Sequence, residues 1–229
     1  MPKDVPVSRG DETRNLLLET GLRLFAIHGF ESVSTRQLTN ESGCNIAAIN
    51  YHFDGKEGLY RAVLEQLVID TEVYFGPSMA KIQDSVRAAS GDRQKLAQAI
   101  TSLISNLFNI FLENEFMRWR MPLVMREYAN PSENFEVLYK GRIEPLHKAI
   151  TVIASMVLEK PADDPECAIR AHAILGQIVI FGIARVVLWK RLEWENYTPE
   201  RVALIAKVAT QSVLNSIGLD PVEPSSKGA

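Results

Sequence analysis

Between Ser34 and Phe53 the residues STRQLTNESGCNIAAINYHF hold two kinds of group that suit a polyanion with readable edges. Ser34, Thr35, Tyr51 and His52 carry short donors fitted to phosphate oxygens, and Lys56 adds a charge at a helix N-terminus, which already favours anions. After the capping residue Asn45 come Ile46, Ala47 and Ala48. They are small or apolar where a helix entering a major groove meets thymine methyls and brings its backbone close. Asn50 can hydrogen-bond a base edge, and Arg36 can reach either a base or a phosphate. Catalytic chemistry has less to work with. His28, His52, His147 and His172 form no metal-binding pair at i and i+4. No nucleophile motif stands near them and no glycine-rich phosphate loop occurs, so no catalytic residue, metal or cofactor is expected. The acids between Glu113 and Glu144 can be combined into a carboxylate pair on paper, as in most helical proteins. Cys44 and Cys167 lie far apart with no close ligand partner and are expected to be reduced structural thiols.

Those groups need a scaffold, and the surrounding residues supply one. Leu38, Cys44, Ile49 and Phe53 are spaced to pack two short helices against a first helix at about Asp11 to His28. Leu17, Gly21, Leu24, Phe25 and His28 form the stripe of that first helix. Gly29 follows where its C-terminus wants a left-handed residue, and Phe30 turns inward. Ser34 with Gln37 makes a capping box, Asp54 with Glu57 repeats it before a fourth helix, and Asn45 caps the helix between. Ile46, Ala47, Ala48, Asn50, Tyr51 and His52 then face mostly outward, which is odd for a purely structural helix. Short capped helices with a glycine turn also occur in proteins that never touch DNA, so spacing alone leaves both readings open.

The remaining periodicity is helical as well, and no alternating run suggests a sheet, so the fold class is all-α. Gly76-Pro77, Gly91-Asp92, Asn130-Pro131-Ser132, Asp163-Asp164-Pro165 and Thr198-Pro199-Glu200 punctuate it, the last three with proline at the first helical position. Leu96, Ile100, Leu103, Ile104, Leu107, Phe108, Phe111 and Leu112 line one helix face, while Pro122 and Pro145 predict kinks or breaks. Bases number 25 against 28 acids, so any DNA binding rests on local placement and not on an overall field. Met1 to Gly10 lacks the apolar core of a signal peptide, and a cytoplasmic protein is expected. The apolar stretch from Ala168 to Trp189 is interrupted by Arg170, His172, Gln177 and Arg185. It predicts no membrane span but a helix covered on both sides, one of them by a partner. Gly218 to Ala229 offers nothing to bury and is expected to be mobile.

Gly29-Phe30, Ser34-x-Arg36-x-Leu38, Gly43, Ala47-Ala48-Ile49-x-Tyr51-His52-Phe53 and Lys56-Glu57-x-Leu59 together resemble the N-terminal signature of the TetR family of bacterial transcriptional regulators. The resemblance covers about Thr13 to Leu64 without a gap. It implies a helix-turn-helix DNA-binding domain at residues 1–58, a helical ligand-binding and dimerisation domain at 59–218 and a flexible tail at 219–229. Matched position by position, it puts Arg36, Ile46, Ala47 and Ala48 near bases and Thr35, Tyr51, His52 and Lys56 on phosphates. Asn50 departs from the aromatic residue common there. The arm before the first helix, with Lys3 and Arg9, either adds a minor-groove or backbone contact or is a solvated tail. Met125-Arg126-Glu127, Phe135, Gly176-Gln177 and Phe181-x-x-Ala184-Arg185 are further similar to the CecR-like branch.

What the resemblance implies is a homodimer joined through its C-terminal helices and bound to a near-palindromic double-stranded operator. It would be a repressor released by a small-molecule effector. The small residues Ala171, Ala173, Gly176, Gly182 and Ala184 fit such a dimer by letting another helix approach. Polar groups within apolar helices are the candidates for effector contact: Arg126, Glu127, Tyr139, His147, His172, Gln177 and Arg185. Phe111, Trp119, Met121, Met125 and Phe181 are candidate lining. A DNA-binding architectural or adaptor protein with a filled core and no effector is the alternative.

Overall fold

The computed structural model describes residues 9–220, and among them every regular element is helical. The α-helices are α1 (Arg9–His28), α2 (Thr35–Ser42), α3 (Ile46–Phe53), α4 (Lys56–Ala89) and α5 (Arg93–Phe108). They continue as α6 (Arg120–Ala129), α7 (Phe135–Leu138), α8 (Glu144–Leu158), α9 (Pro165–Ile183), α10 (Arg185–Leu192) and α11 (Pro199–Ser216). A π-helical turn, Asn109–Glu113, follows α5, and a second, Tyr139–Ile143, precedes α8. Among the described residues, one compact unit joins those up to Thr71 with Arg118–Gly141. The other joins Glu72–Met117 with those from Arg142 onward. This grouping does not follow a 58/59 boundary, because α6 and the loop after it pack with the first helices.

In the first unit α1 buries Leu17, Gly21, Leu24 and Phe25 as its stripe predicts, while His28 at the end of the stripe is exposed. Leu38 and Ile49 are fully buried, Phe53 nearly so, and Cys44 half-buried, so α2 and α3 are fixed by few but complete contacts. Gly58, in the first turn of α4, lies so close to the end of α3 that a Cβ there would stand 1.6 Å from the Phe53 carbonyl oxygen. In the second unit α5 buries Leu96, Ile100, Leu103, Ile104, Leu107 and Phe108, the face its spacing predicts. α11 packs on α5, and α8 packs on α9.

Several punctuation marks behave otherwise than their residue types suggest. Pro77 lies inside α4, which runs unbroken through Gly76-Pro77. Val73, whose carbonyl loses its amide donor, and Pro77 both lie on the exposed side, where water can replace that bond. Asp54 does not cap α4; it closes α3 in left-handed geometry, φ 59°. Pro131 does not open a helix: Asn130 ends α6, and α7 begins only at Phe135. Pro165 and Pro199 do sit at helix starts, after the capping side chains of Asp164 and Thr198. Pro122 falls in the first turn of α6 and Pro145 in that of α8, each directly after a break in regular helix. The chain after Ile217 does bury something. Leu219 is 2% exposed, its amide donates to the Leu214 carbonyl, and the Gly218 carbonyl accepts from Arg93. Residues 221–229 of the expected tail and Lys3 of the expected arm lie outside the described residues, and Arg9 opens α1. α9 is not covered on both sides by its own chain: Ile169, Ile180 and Ile183 are at least half exposed.

Crowding at Gly58 separates from backbone strain by substitution. In urea unfolding, Gly58→Ala should lose about 3 kcal/mol through overpacking against the Phe53 carbonyl. Gly43→Ala, at φ 70° with open space around it, should lose only about 1 kcal/mol. Equal losses at the two sites would show that crowding does not control position 58.

Candidate nucleic-acid interface

The turn between α2 and α3 is built by capping. Ser34 Oγ accepts from the Gln37 amide at 3.1 Å to start α2, and Gly43 ends it with φ 70°. Asn45 Oδ1 accepts from the Ala48 amide at 2.8 Å to start α3. With its caps used this way and Ile49 and Phe53 buried beneath, α3 turns the remaining side chains outward. Ile46 is 52% and Tyr51 85% exposed; Ala47 and Asn50 are also exposed, and Ala48 and His52 are half-buried. The Tyr51 and His52 rings meet edge to face at 4.9 Å, which steadies both on this surface. On α2, Arg36 is exposed, with Ser34 exposed and Thr35 half-buried beside it. Lys56 is differently placed from a free phosphate ligand. Its ammonium donates to the Phe30 carbonyl at 3.1 Å and sits 4.2 Å from the Phe30 ring centroid, so it fastens the start of α4 to the end of the α1–α2 loop.

Behind this surface stands a buried polar knot. Glu127 on α6 is 1% exposed and accepts from the Tyr60 hydroxyl of α4. It also accepts from the Ser132 amide and hydroxyl, each at 3.1 Å. Next to it, Arg126 donates to the Ala26 carbonyl at 2.9 Å and to the Ile27 carbonyl, closing the C-terminus of α1 with a cation. Gly29, at φ 82°, leaves the room: a Cβ there would stand 3.2 Å from the Arg126 guanidinium. Tyr60 also packs edge to face on Phe25 at 4.9 Å and against Phe30 at the same distance. Burial, reinforced by the bond to Glu127, raises the Tyr60 phenol far above its ordinary range.

Comparison with known proteins divides the chain in sequence order, with the second match running through both compact units. Residues 17–63 match the N-terminal domain of the bacterial regulatory proteins of the TetR family. Residues 96–218, more than half of the chain, match the family described as the HTH-type transcriptional dual regulator CecR, C-terminal domain. The chain is a TetR-family transcriptional regulator of the CecR type. It is 23% identical over 202 residues to the HTH-type transcriptional dual regulator CecR of Shigella flexneri, covering 88% of this chain and 90% of that one. Among solved structures it shares its fold with a transcriptional regulator from Rhodococcus sp. Rha1. That structure has TM-score 0.56 and 18% identity and covers 92% of this chain and 99% of the other. AibR, solved in complex with isovaleryl coenzyme A and operator DNA, has TM-score 0.61 and 14% identity and covers 87% and 97%.

Within this CecR-type regulator the residues expected to meet an effector are spread over both compact units. Trp119, Met125, Arg126 and Tyr139 belong to the first; Phe111, His147, Gln177, Phe181 and Arg185 belong to the second. Arg126 and Glu127 are engaged in holding α6 to α1 and α4, and Tyr139 packs beside Phe135 at 6.0 Å. Trp119 lies under the Arg118 guanidinium at 5.0 Å, while Met125 is half-buried. Phe111 packs near Phe75, and Phe181 meets Phe108 edge to face at 5.4 Å. Gln177 accepts from Ser212 at 3.0 Å across α9 and α11, and Arg185 lies over Trp189. His147 is 5.9 Å from the His172 ring, and burial, aided by that neighbour, lowers its basicity. Tyr60 and Gly58 were not singled out from the sequence, and Ser132 was read only as part of a helix-start signal. A Glu whose neighbours in sequence are Arg and Tyr gives no sign that its partners lie 67 residues upstream and five residues downstream.

Tyr60→Phe should cost about 1–3 kcal/mol near neutral pH, because it leaves a buried carboxylate oxygen without its donor. The sign of its pH dependence follows from the raised phenol: the folded state keeps a proton that the unfolded chain releases near pH 10, so stability falls as pH rises beyond that point. Chemical denaturation between pH 8 and 11 should therefore show a shallower alkaline decline for Tyr60→Phe than for the wild type. Parallel curves would contradict this role for the phenol.

Proposed function

We propose that this regulator is a cytoplasmic homodimer that binds a near-palindromic operator through α2 and α3, represses transcription there, and is released when a small molecule binds the C-terminal part. The observation that carries the DNA reading is the outward face of α3. Four of its side chains, Ile46, Ala47, Asn50 and Tyr51, are exposed although three of them are apolar or aromatic, with two buried anchors holding the helix rigid below. In this reading Arg36, Ile46, Ala47 and Ala48 meet bases, with Asn45 at the helix start and Asn50 at an open position. Ser34, Thr35, Tyr51 and His52 meet phosphates. Lys56 acts by fixing α4 to the reading unit, and any phosphate contact it makes uses its remaining donors.

One short helix spans too few bases for specificity, and a two-fold partner answers that need. Ile169, Ala173, Gly176, Ile180, Ile183 and Val187 form an exposed stripe along α9 and α10, and Leu204 and Val208 form another on α11. Gly176 has nothing within 4 Å of where its Cβ would be, which suits a second helix lying there. A contiguous apolar surface of this kind marks a contact site. The AibR complex supports the pairing of DNA and small ligand on this fold. Release requires only that the effector prefer a dimer whose two α3 helices are wrongly spaced for successive major grooves. The name of the Shigella flexneri relative, a dual regulator, favours a second reading in which the same dimer also activates.

Sequencing genomic fragments selected by the purified protein should return an enriched near-palindrome; a selection without one would sink the operator reading. On the recovered site, Arg36→Ala with Tyr51→Ala should weaken binding at least about tenfold at matched salt without loss of the folded dimer. Ile180→Asp should convert the dimer to monomer in sedimentation equilibrium.

A further inference from the structure

A cleft of about 430 Å³ lies in the second unit between the C-terminal half of α4 and α8. Ile82, Val86, Pro145, Ala149, Val152 and Met156 make its apolar walls, and the polar side chains on it are Gln83, Arg87 and Lys148. That volume falls within the range of small-molecule sites. No acidic residue lines it. Among the described residues the two cations pair one turn away on their own helices, exposed Arg87 to exposed Asp84 at 3.4 Å and exposed Lys148 to half-buried Glu144 at 3.0 Å. Pairs whose cation stands in water are weak, so both cations can turn to another anion at little cost to the fold. Val152, on the apolar wall, is 40% exposed and so offers apolar surface that a ligand's hydrocarbon body can cover.

We infer that this cleft binds an amphipathic carboxylate, its apolar body against Val86, Val152 and Met156 and its head on Arg87 and Lys148. None of the residues expected from the sequence to touch an effector lines it. The inference deepens the effector reading and rests on it for any consequence at the operator, although the binding itself does not. An occupant would lie against α4, the same helix that begins at Lys56 after the reading helix.

Isothermal titration of the full chain with decanoate, 1-decanol and acetate tests it. Decanoate should bind at least about tenfold more tightly than either the neutral chain or the bare head. Arg87→Gln with Lys148→Gln should reduce decanoate affinity at least about tenfold while leaving decanol unchanged, and Val152→Trp should abolish binding by filling the cleft. Decanoate affinity unchanged in all these variants, or no binding to the wild type, would overturn the site. A Val152→Trp protein that changes its oligomeric state but still binds decanoate would also overturn it and give the cleft to a second copy. Operator affinity with and without saturating decanoate keeps the two readings apart. Binding that is lost in Val152→Trp but leaves operator affinity unchanged upholds the cleft and removes decanoate as an effector.

Discussion

A carboxylate buried as completely as that of Glu127 has to find its hydrogen bonds inside the protein, and this requirement organises the DNA-binding unit. The donors come from α4, 67 residues upstream, and from the loop directly after α6, so two stretches of chain distant in sequence must meet at one side chain. Arg126 beside it reaches the other way, to the carbonyls that end α1. Two adjacent residues on α6 thus grip the first and fourth helices at once. α6, with α7 after it, therefore groups with the helix-turn-helix and not with α8 to α11. Because α3 is only eight residues long, its aim depends on how well α1 and α4 are held.

The chemistry of the proposed reading face fits a chain whose net charge is slightly negative. Its outward groups are mostly neutral donors and small apolar side chains, with Arg36 as an exposed cation beside them and Lys56 drawn back onto Phe30. Neutral donors release fewer counterions on meeting phosphate than lysines do, so such a surface relies more on shape and position than on bulk attraction.

What the sequence made legible was local. Ser34 and Asn45 signal helix starts by chemistry that acts within three residues, and the structure shows both bonds. The α5 face is legible because a 3.6-residue period needs no knowledge of its partner. The errors trace to competition from other groups or from water. Pro77 is a breaker by type, yet its position on the exposed side removes the penalty. Pro131 opens no helix, and Ser132 after it is bonded to Glu127 and to the Asn134 amide. Arg126 looked available to a ligand because nothing nearby in sequence claims it, and the end of α1, about a hundred residues upstream, does. Leu219, in a stretch rich in Pro and Ser, is buried because the chain turns back at Gly218 after α11.

The exposure of α3 on which the proposed groove contact rests has an evolutionary side. Ala47, Asn50 and Tyr51 contribute little to the packed interior, and exchanges at such exposed positions shift stability by only about 0.5 kcal/mol or less. Leu38, Ile49 and the Glu127 knot carry the architecture in their place. On the base contacts proposed above, mutational drift at the outward positions of α3 rewrites which DNA sequence is preferred while the scaffold stays intact, so one lineage can acquire new target promoters without first having to recover a damaged fold.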